Sequence, residues 1–327
     1  MDYNMDTTLQ KTSSGSTVLG VLGNIRLIIV LVAIIGIFTI VNPSYFSVNS
    51  FYSILMSITV IGLSCIGQTF CLLTGGFDLS VGATVLMSGV TAAYLIRNFG
   101  VSVWAAFIII LIEGIVIGMI NGLIVTKGKI NPLITTLAMY YILNGLVFFL
   151  TEGTFVNVRE QSFRFLGTYR LFGFKFVQMP IIVLVMLFVV CFIVLKYTRY
   201  GRYIYIVGGN RVAARFSGIN VDFIGTSVYV VSGFMSALGG FIYASRVGAA
   251  QPTVGGDFAL ISIAAVILGG ISLSGGRGSI LGSFIGILII QSLNTGLLGL
   301  GLASHYQDIA TGVVLIMAVF IDVFRKK

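Results

Sequence analysis

Charge is what this chain has least of. Only 9% of its 327 residues are Asp, Glu, Lys or Arg, against 57% hydrophobic residues. A soluble domain carries about a quarter charged residues, so a water-facing globular surface is excluded. Proline is also scarce, at 4 residues, while glycine reaches 41, which suits helices packed through small side chains rather than a disordered chain. The one histidine, His305, has no companion ligand, and Cys65, Cys71 and Cys191 all fall inside apolar runs. Neither a metal site nor a disulfide framework is expected, and the cysteines read as small packing residues. The phosphate-loop pattern GxxxxGK[ST] is absent, as is any catalytic constellation, so no enzyme activity and no cofactor are expected of the chain itself.

What is present is a series of apolar runs of roughly 18–25 residues, the length a helix needs to cross a hydrocarbon core. Lipid offers backbone groups no partner, so the fold class is all-α, a polytopic membrane protein of about ten transmembrane helices. The expected spans are 25–42, 52–74, 79–97, 102–126, 131–151, 178–197, 221–246, 258–275, 279–300 and 306–323. A polar tail, 1–24, precedes a membrane domain over 25–327. The apolar run 27–41 after Arg26 is not followed by a small-x-small cleavage site, so it reads as an uncleaved first helix.

The net charge of +9 is distributed as membrane topology demands rather than as a nucleic-acid surface. Lys127 and Lys129 lie between spans four and five, Lys196, Arg199, Arg202, Arg211 and Arg215 between spans six and seven, and Arg325, Lys326 and Lys327 at the end. An even number of spans places all of these, with both termini, on the cytoplasmic side of a bacterial plasma membrane. Arg159, Arg164, Arg170 and Lys175 then fall in an outer loop, 152–177, opposed only by Glu152 and Glu160. Trp104 starts span four as an interfacial anchor.

Three features invite function. GGFDLSVG at 75–82 is echoed by GGISLSGG at 269–276, each where an apolar run breaks, and transporters place glycine-interrupted helices near their substrate path. Asp78 and Ser80 in the first copy either cap the following helix or serve as a gate on that path. The second feature is the cytoplasmic loop 198–220. Within it Asn210 suits an N-cap and Gly218 the position past a helix end, framing Arg211, Val212, Ala213, Ala214, Arg215 and Phe216 as a short helix. Gly208 and Gly209 let the chain turn into it. Val212 and Phe216 form an apolar stripe and Arg211 and Arg215 a basic one, suited to a groove on a partner or to an anionic lipid surface. The third is a set of neutral polar side chains within spans: Gln68, Thr69, Asn121, Asn144, Gln291 and Asn294. They either line a path for a hydroxylated solute or bond neighbouring helices.

GGFDLSVG, the 200–221 segment YGRYIYIVGGNRVAARFSGINV, GAAQP at 248–252 and AAVILGGISLSGGRGS at 264–279 together resemble the permease subunits of bacterial ABC importers for monosaccharides, the ribose type above all. The likeness runs from about residue 50 to 323. It implies a dimer of two permease subunits, a separate cytoplasmic ATPase that docks on 208–216 and Gly218, and an external sugar-binding protein received by the outer segments 43–50, 152–177 and 247–257. Where sugar permeases of this kind carry two acidic residues, Ala259 and Ile261 stand here, leaving Asp257 nearby. Two alternatives stay open: cargo such as a nucleoside or amino acid, and a proton-coupled secondary carrier using Glu113 or Asp308.

Overall fold

The computed structural model describes residues 25–174, 177–253 and 255–324. The expectations placed on the tail 1–24, on Lys175 and on Arg325, Lys326 and Lys327 lie outside the described residues. The chain is an all-α, multi-pass membrane protein. In order its helices are α1 (Ile25–Val41), α2 (Val48–Leu73), α3 (Val81–Phe99), α4 (Val103–Thr126), α5 (Pro132–Thr151) and the single turn α6 (Phe165–Thr168). Then come α7 (Met179–Tyr197), α8 (Arg199–Gly209), α9 (Arg211–Phe216), α10 (Val221–Val247), α11 (Phe258–Leu268), α12 (Ile280–Gly299) and α13 (Ser304–Phe324). By length and apolarity, α2, α4, α5, α7, α10 and α12 qualify as membrane spans among the described residues.

The most hydrophobic helices are not the most buried. The apolar window of α2 is 89% buried and that of α10 72%, against no more than 33% for α4, α5 and α7. Lipid tails are as apolar as leucine, so hydrophobicity does not drive a helix to the centre; small residues that allow close approach do. α4 carries Gly114, Gly118 and Gly122 at four-residue spacing, and these meet Gly233, Tyr229 and Thr226 of α10. A methyl group at Gly118 would overlap the Tyr229 carbonyl oxygen. α2 runs antiparallel to α10 on another face, with Gly67 against Ser232, Gly239 against Val60, and Arg246 donating to the Met56 carbonyl at 3.0 Å.

These pairings serve as a depth gauge. Ser232 lies near the middle of α10, and Gly67 of α2 stands at that level. α3 runs beside α10, with Gly89 and Val85 against Gly240, so α3 begins near the middle of α10 and follows its C-terminal half. α11 descends from the same region: its Ser262 carbonyl is 3.8 Å from Cys65 Sγ on α2, and Ala265 packs on Gly286 of α12. The two starts meet, since a methyl at Gly82 would overlap the Gly255 carbonyl.

This corrects one expected span. The apolar run 258–275 is not one helix: α11 is 11 residues long, about 16 Å at 1.5 Å per residue, and stops at Leu268. Gly269 and Gly270 follow, Gly270 at φ +90°, and the chain turns back toward α12. The run 79–97 forms a helix of 19 residues, shifted by two positions. α3 starts only at Val81, after residues 74–80 have climbed from the end of α2 without helical pairing. Within the segment 247–257, Gly255 lies against Gly82 at the start of α3.

At the opposite end of α10, β1 (Val156–Asn157) pairs antiparallel with β2 (Ala249–Ala250), and the Gly167 amide donates to Ser245 Oγ at 2.8 Å. The described part of the loop 152–178 is thereby tied onto the C-terminal end of α10.

Candidate functional site: the lever and the breaks it rests on

The segment between α7 and α10 is built from α8 and α9. Thr198 caps α8, accepting from the Gly201 amide at 3.2 Å, and α8 buries Gly201, Ile204 and Val207 on one side. At Asn210 the backbone becomes extended, and its side-chain oxygen accepts from the amides of Val212 (3.0 Å) and Ala213 (2.9 Å). α9 ends in a Schellman arrangement: Gly218, at φ +77°, donates to the Arg215 carbonyl while Ile219 donates to that of Ala214. Ala214 is buried, whereas Phe216 is 89% exposed and Val212 65%. Val212 and Phe216, four residues apart, thus form an apolar stripe of α9 that the rest of the described chain leaves uncovered.

The two arginines do not both project freely, as the stripe reading had it. Arg211 reaches inward and donates to the Thr74 carbonyl at 3.2 Å, and Arg215 pairs with Asp222 at 3.2 Å. That exposed pair holds its helix little, since such pairs contribute about 0–1 kcal/mol. Nor do Gly208 and Gly209 serve as a turn. Both are the last residues of α8, and at Gly208 the requirement is space: a side chain there would overlap the Leu73 carbonyl and lie 2.6 Å from the Gly276 amide. A side chain at Gly209 meets nothing within 4 Å.

The base of the lever therefore rests on both glycine breaks. The Gly276 amide donates to the Leu73 carbonyl at 2.8 Å, so the end of α2 and the loop after α11 are joined beneath Gly208. Tyr205 on α8 donates to the Gly278 carbonyl at 3.1 Å, and burial raises its phenol above the usual range, keeping it a donor. Sequence reasoning missed this junction, although the echo of 75–82 in 269–276 pointed to both of its parts.

Four of the polar residues singled out in sequence come together. Asp78 is buried, and its carboxylate accepts from the Ser80 amide (3.0 Å), Ser80 Oγ (2.6 Å) and Ser232 Oγ (2.6 Å). Gln68 donates to the Asp78 carbonyl, and Asn121 donates to Ser80 Oγ at 2.9 Å. One network thus ties α2, the climbing segment, α4 and α10. Asn144, Gln291 and Asn294 stand apart: Asn144 bonds its own helix at the Tyr140 carbonyl (3.0 Å), and Gln291 and Asn294 are on α12. Thr69 donates to Ser283 Oγ at 2.8 Å, linking α2 to α12. Glu113 accepts from Thr91 at 3.1 Å between α4 and α3, and Asp308 is exposed in the first turns of α13. In the loop after α5, Arg159 and Arg164 line an open depression of about 950 Å³.

Comparison with known proteins agrees in extent with this architecture. Residues 50–319 match the family model described as branched-chain amino acid transport system / permease component. The chain is 39% identical to the ribose import permease protein RbsC of Haemophilus influenzae, over 91% of this chain and 92% of that one. It is 42% identical to the corresponding Bacillus subtilis protein over 89% of each, and 33% identical to the fructose import permease protein FrcC of Rhizobium meliloti over 93% and 86%. No solved structure matches. The chain belongs to the family of transport-system permease components that includes the ribose import permeases.

Proposed function

We propose that the chain is the membrane-spanning subunit of an ABC importer for a monosaccharide of the ribose type. A separate ATPase drives it, and an external binding protein supplies the sugar. The relatives' names support the cargo class. The observation that carries the mechanism is α9, whose exposed Val212 and Phe216 stand on a helix pair rooted in the membrane domain. An amphipathic helix of this kind fits a hydrophobic groove on a partner, and the partner here is the ATPase.

The chain crosses the membrane ten times with both termini in the cytoplasm, two crossings being completed by extended segments joined to α3 and α11. Support comes from the pairing of ends. Thr126 and Thr226 hydroxyls lie 2.9 Å apart, so Lys127 shares the lever's face, and Asn42 after α1 donates to the Gly299 carbonyl at the opposite face. Two such subunits, as copies or siblings, enclose the path. ATP draws the paired levers together; the motion enters the membrane at Leu73, Thr74 and Gly276. Phe216→Asp leaves insertion intact and abolishes ATP-driven ribose uptake by proteoliposomes holding permease, ATPase and binding protein. Uptake at the wild-type rate in that variant overturns the docking role of α9.

A further inference from the structure

Asp257 is exposed, immediately before α11, and among the described residues it makes neither a capping hydrogen bond nor an ion pair. Its depth follows from its helix. Ser262 of α11 contacts Cys65 of α2, two residues from the Gly67 that packs on Ser232 near the centre of α10. Asp257 is five residues earlier on the chain, which places it about 7.5 Å outward of the Ser262–Cys65 contact and about 10 Å outward of Ser232 at 1.5 Å per residue. The outer end of α10, by the same rise, is about 22 Å outward of Ser232. The carboxylate therefore stands within the hydrocarbon depth. An ionised group facing lipid there is costly, and groups of this kind turn to water or to other protein.

Its surroundings fit water. Gly256 beside it is exposed, and a methyl built there would sit 3.7 Å from the Tyr140 hydroxyl of α5. Tyr140 is half-buried, so a polar group from a different helix lies beside Gly256, the residue next to Asp257. Backbone closeness at Gly82 and Gly255 fixes the patch where α3 and α11 begin.

We propose that Asp257, with Tyr140, lines the aqueous waist of the transport path and that its carboxylate accepts hydrogen bonds from the hydroxyl groups of a passing, uncharged polyol. This rests on the permease reading and adds a specific place where cargo touches the chain. The carboxylate offers acceptors and the phenol both a donor and an acceptor, a complement to adjacent sugar hydroxyls. A site open to water and built from two side chains holds cargo weakly, as a conduit must.

The test has two arms in proteoliposomes of the full complex. In the first, Asp257→Cys is exposed to a charged, membrane-impermeant methanethiosulfonate. The native Cys65, Cys71 and Cys191 are buried, so the wild-type chain is the silent control. Labelling of Asp257→Cys alone is expected; absence of labelling from either side of the membrane overturns the wet position. In the second, ATP-driven ribose uptake is compared in wild type, Asp257→Asn and Asp257→Glu. Asn is expected to lower the rate at least tenfold and Glu to restore most of it. Equal rates in wild type and Asp257→Asn overturn the cargo contact while leaving the importer reading intact. No uptake by wild type, with Asp257→Cys still labelled, overturns the importer reading instead. If Asp257→Asn does not assemble, the labelling arm and the Asp257→Glu rate decide.

Discussion

Residues 75–82 and 269–276 read almost alike, yet the fold uses them in opposite ways. In both, the fourth and sixth positions bond one another: Asp78 with Ser80 at 2.6 Å, Ser272 with Ser274 at 3.0 Å. The divergence begins at the seventh. Val81 continues into α3, whereas Gly275 and Gly276 take φ of +82° and +71° and hold a tight turn. The fourth position completes the contrast. Asp78 accepts a bond from Ser232 on α10 and is drawn to mid-depth, while Ser272 bonds within its own turn near the inner face. One carboxylate with donors from two elements separates an irregular ascent from a tight turn.

The largest effect is expected on removing that carboxylate. Asp78→Leu leaves the Ser80 amide, Ser80 Oγ and Ser232 Oγ without their acceptor in a buried site, at about 1–3 kcal/mol for each unmet group. The expected loss is about 3 kcal/mol or more, read as a fall in the thermal midpoint of the detergent-solubilised chain. Asp78→Asn keeps one acceptor oxygen and should lose about 1 kcal/mol, because serine hydroxyls can turn to accept from the new amide. A midpoint for Asp78→Leu within a degree of wild type would break the comparison, since the ascent would then hold without its anchor.

The next effect concerns where the two segments meet. Gly208→Ala forces a methyl onto the Leu73 carbonyl and the Gly276 amide, and Gly276→Ala adds a left-handed φ to an overlap with Gly209 Cα at 2.7 Å. Each should lower ATP-driven uptake about tenfold or more while the chain still inserts. Gly209→Ala, with open space around it, should stay within twofold of wild type. Equal rates for Gly208→Ala and Gly209→Ala would mean that the lever does not push through this junction. The measurement is initial ribose uptake per ATP hydrolysed.

These contrasts also mark what the residues alone could tell. The α9 cap was legible because Asn210, Gly218 and the stripe of Val212 and Phe216 are local signals, each read within a few positions. The early end of α11 was not, because an apolar window cannot report depth. Residues 258–275 are apolar enough to span, and only the packing of Gly269 on Gly282 and Ala265 on Gly286 shows where α11 ends. The same limit applies to Gln68, Asn121 and Asp78. Their presence in apolar runs announced polar business in the membrane, but their convergence on Ser80 depends on helices far apart in sequence. Gly208 was read as a hinge for want of the carbonyl it lies against.

The smallest effect sharpens the comparison most. Ser272→Ala removes one hydroxyl that bonds Ser274 Oγ at 3.0 Å and accepts the Ser274 amide at a long 3.4 Å. Neither partner lies on another helix, and Ser274 is exposed enough to find water. The loss should be about 0.5–1 kcal/mol, the net contribution of an ordinary hydrogen bond. Uptake should follow the wild type, because the φ values of Gly275 and Gly276, not the serine, hold the turn against α8. If Ser272→Ala instead lowered stability as far as Asp78→Leu, the fourth position would anchor both segments alike. The two would then be a repeated device with a shared role, and the contrast drawn from Ser232 would have to be given up.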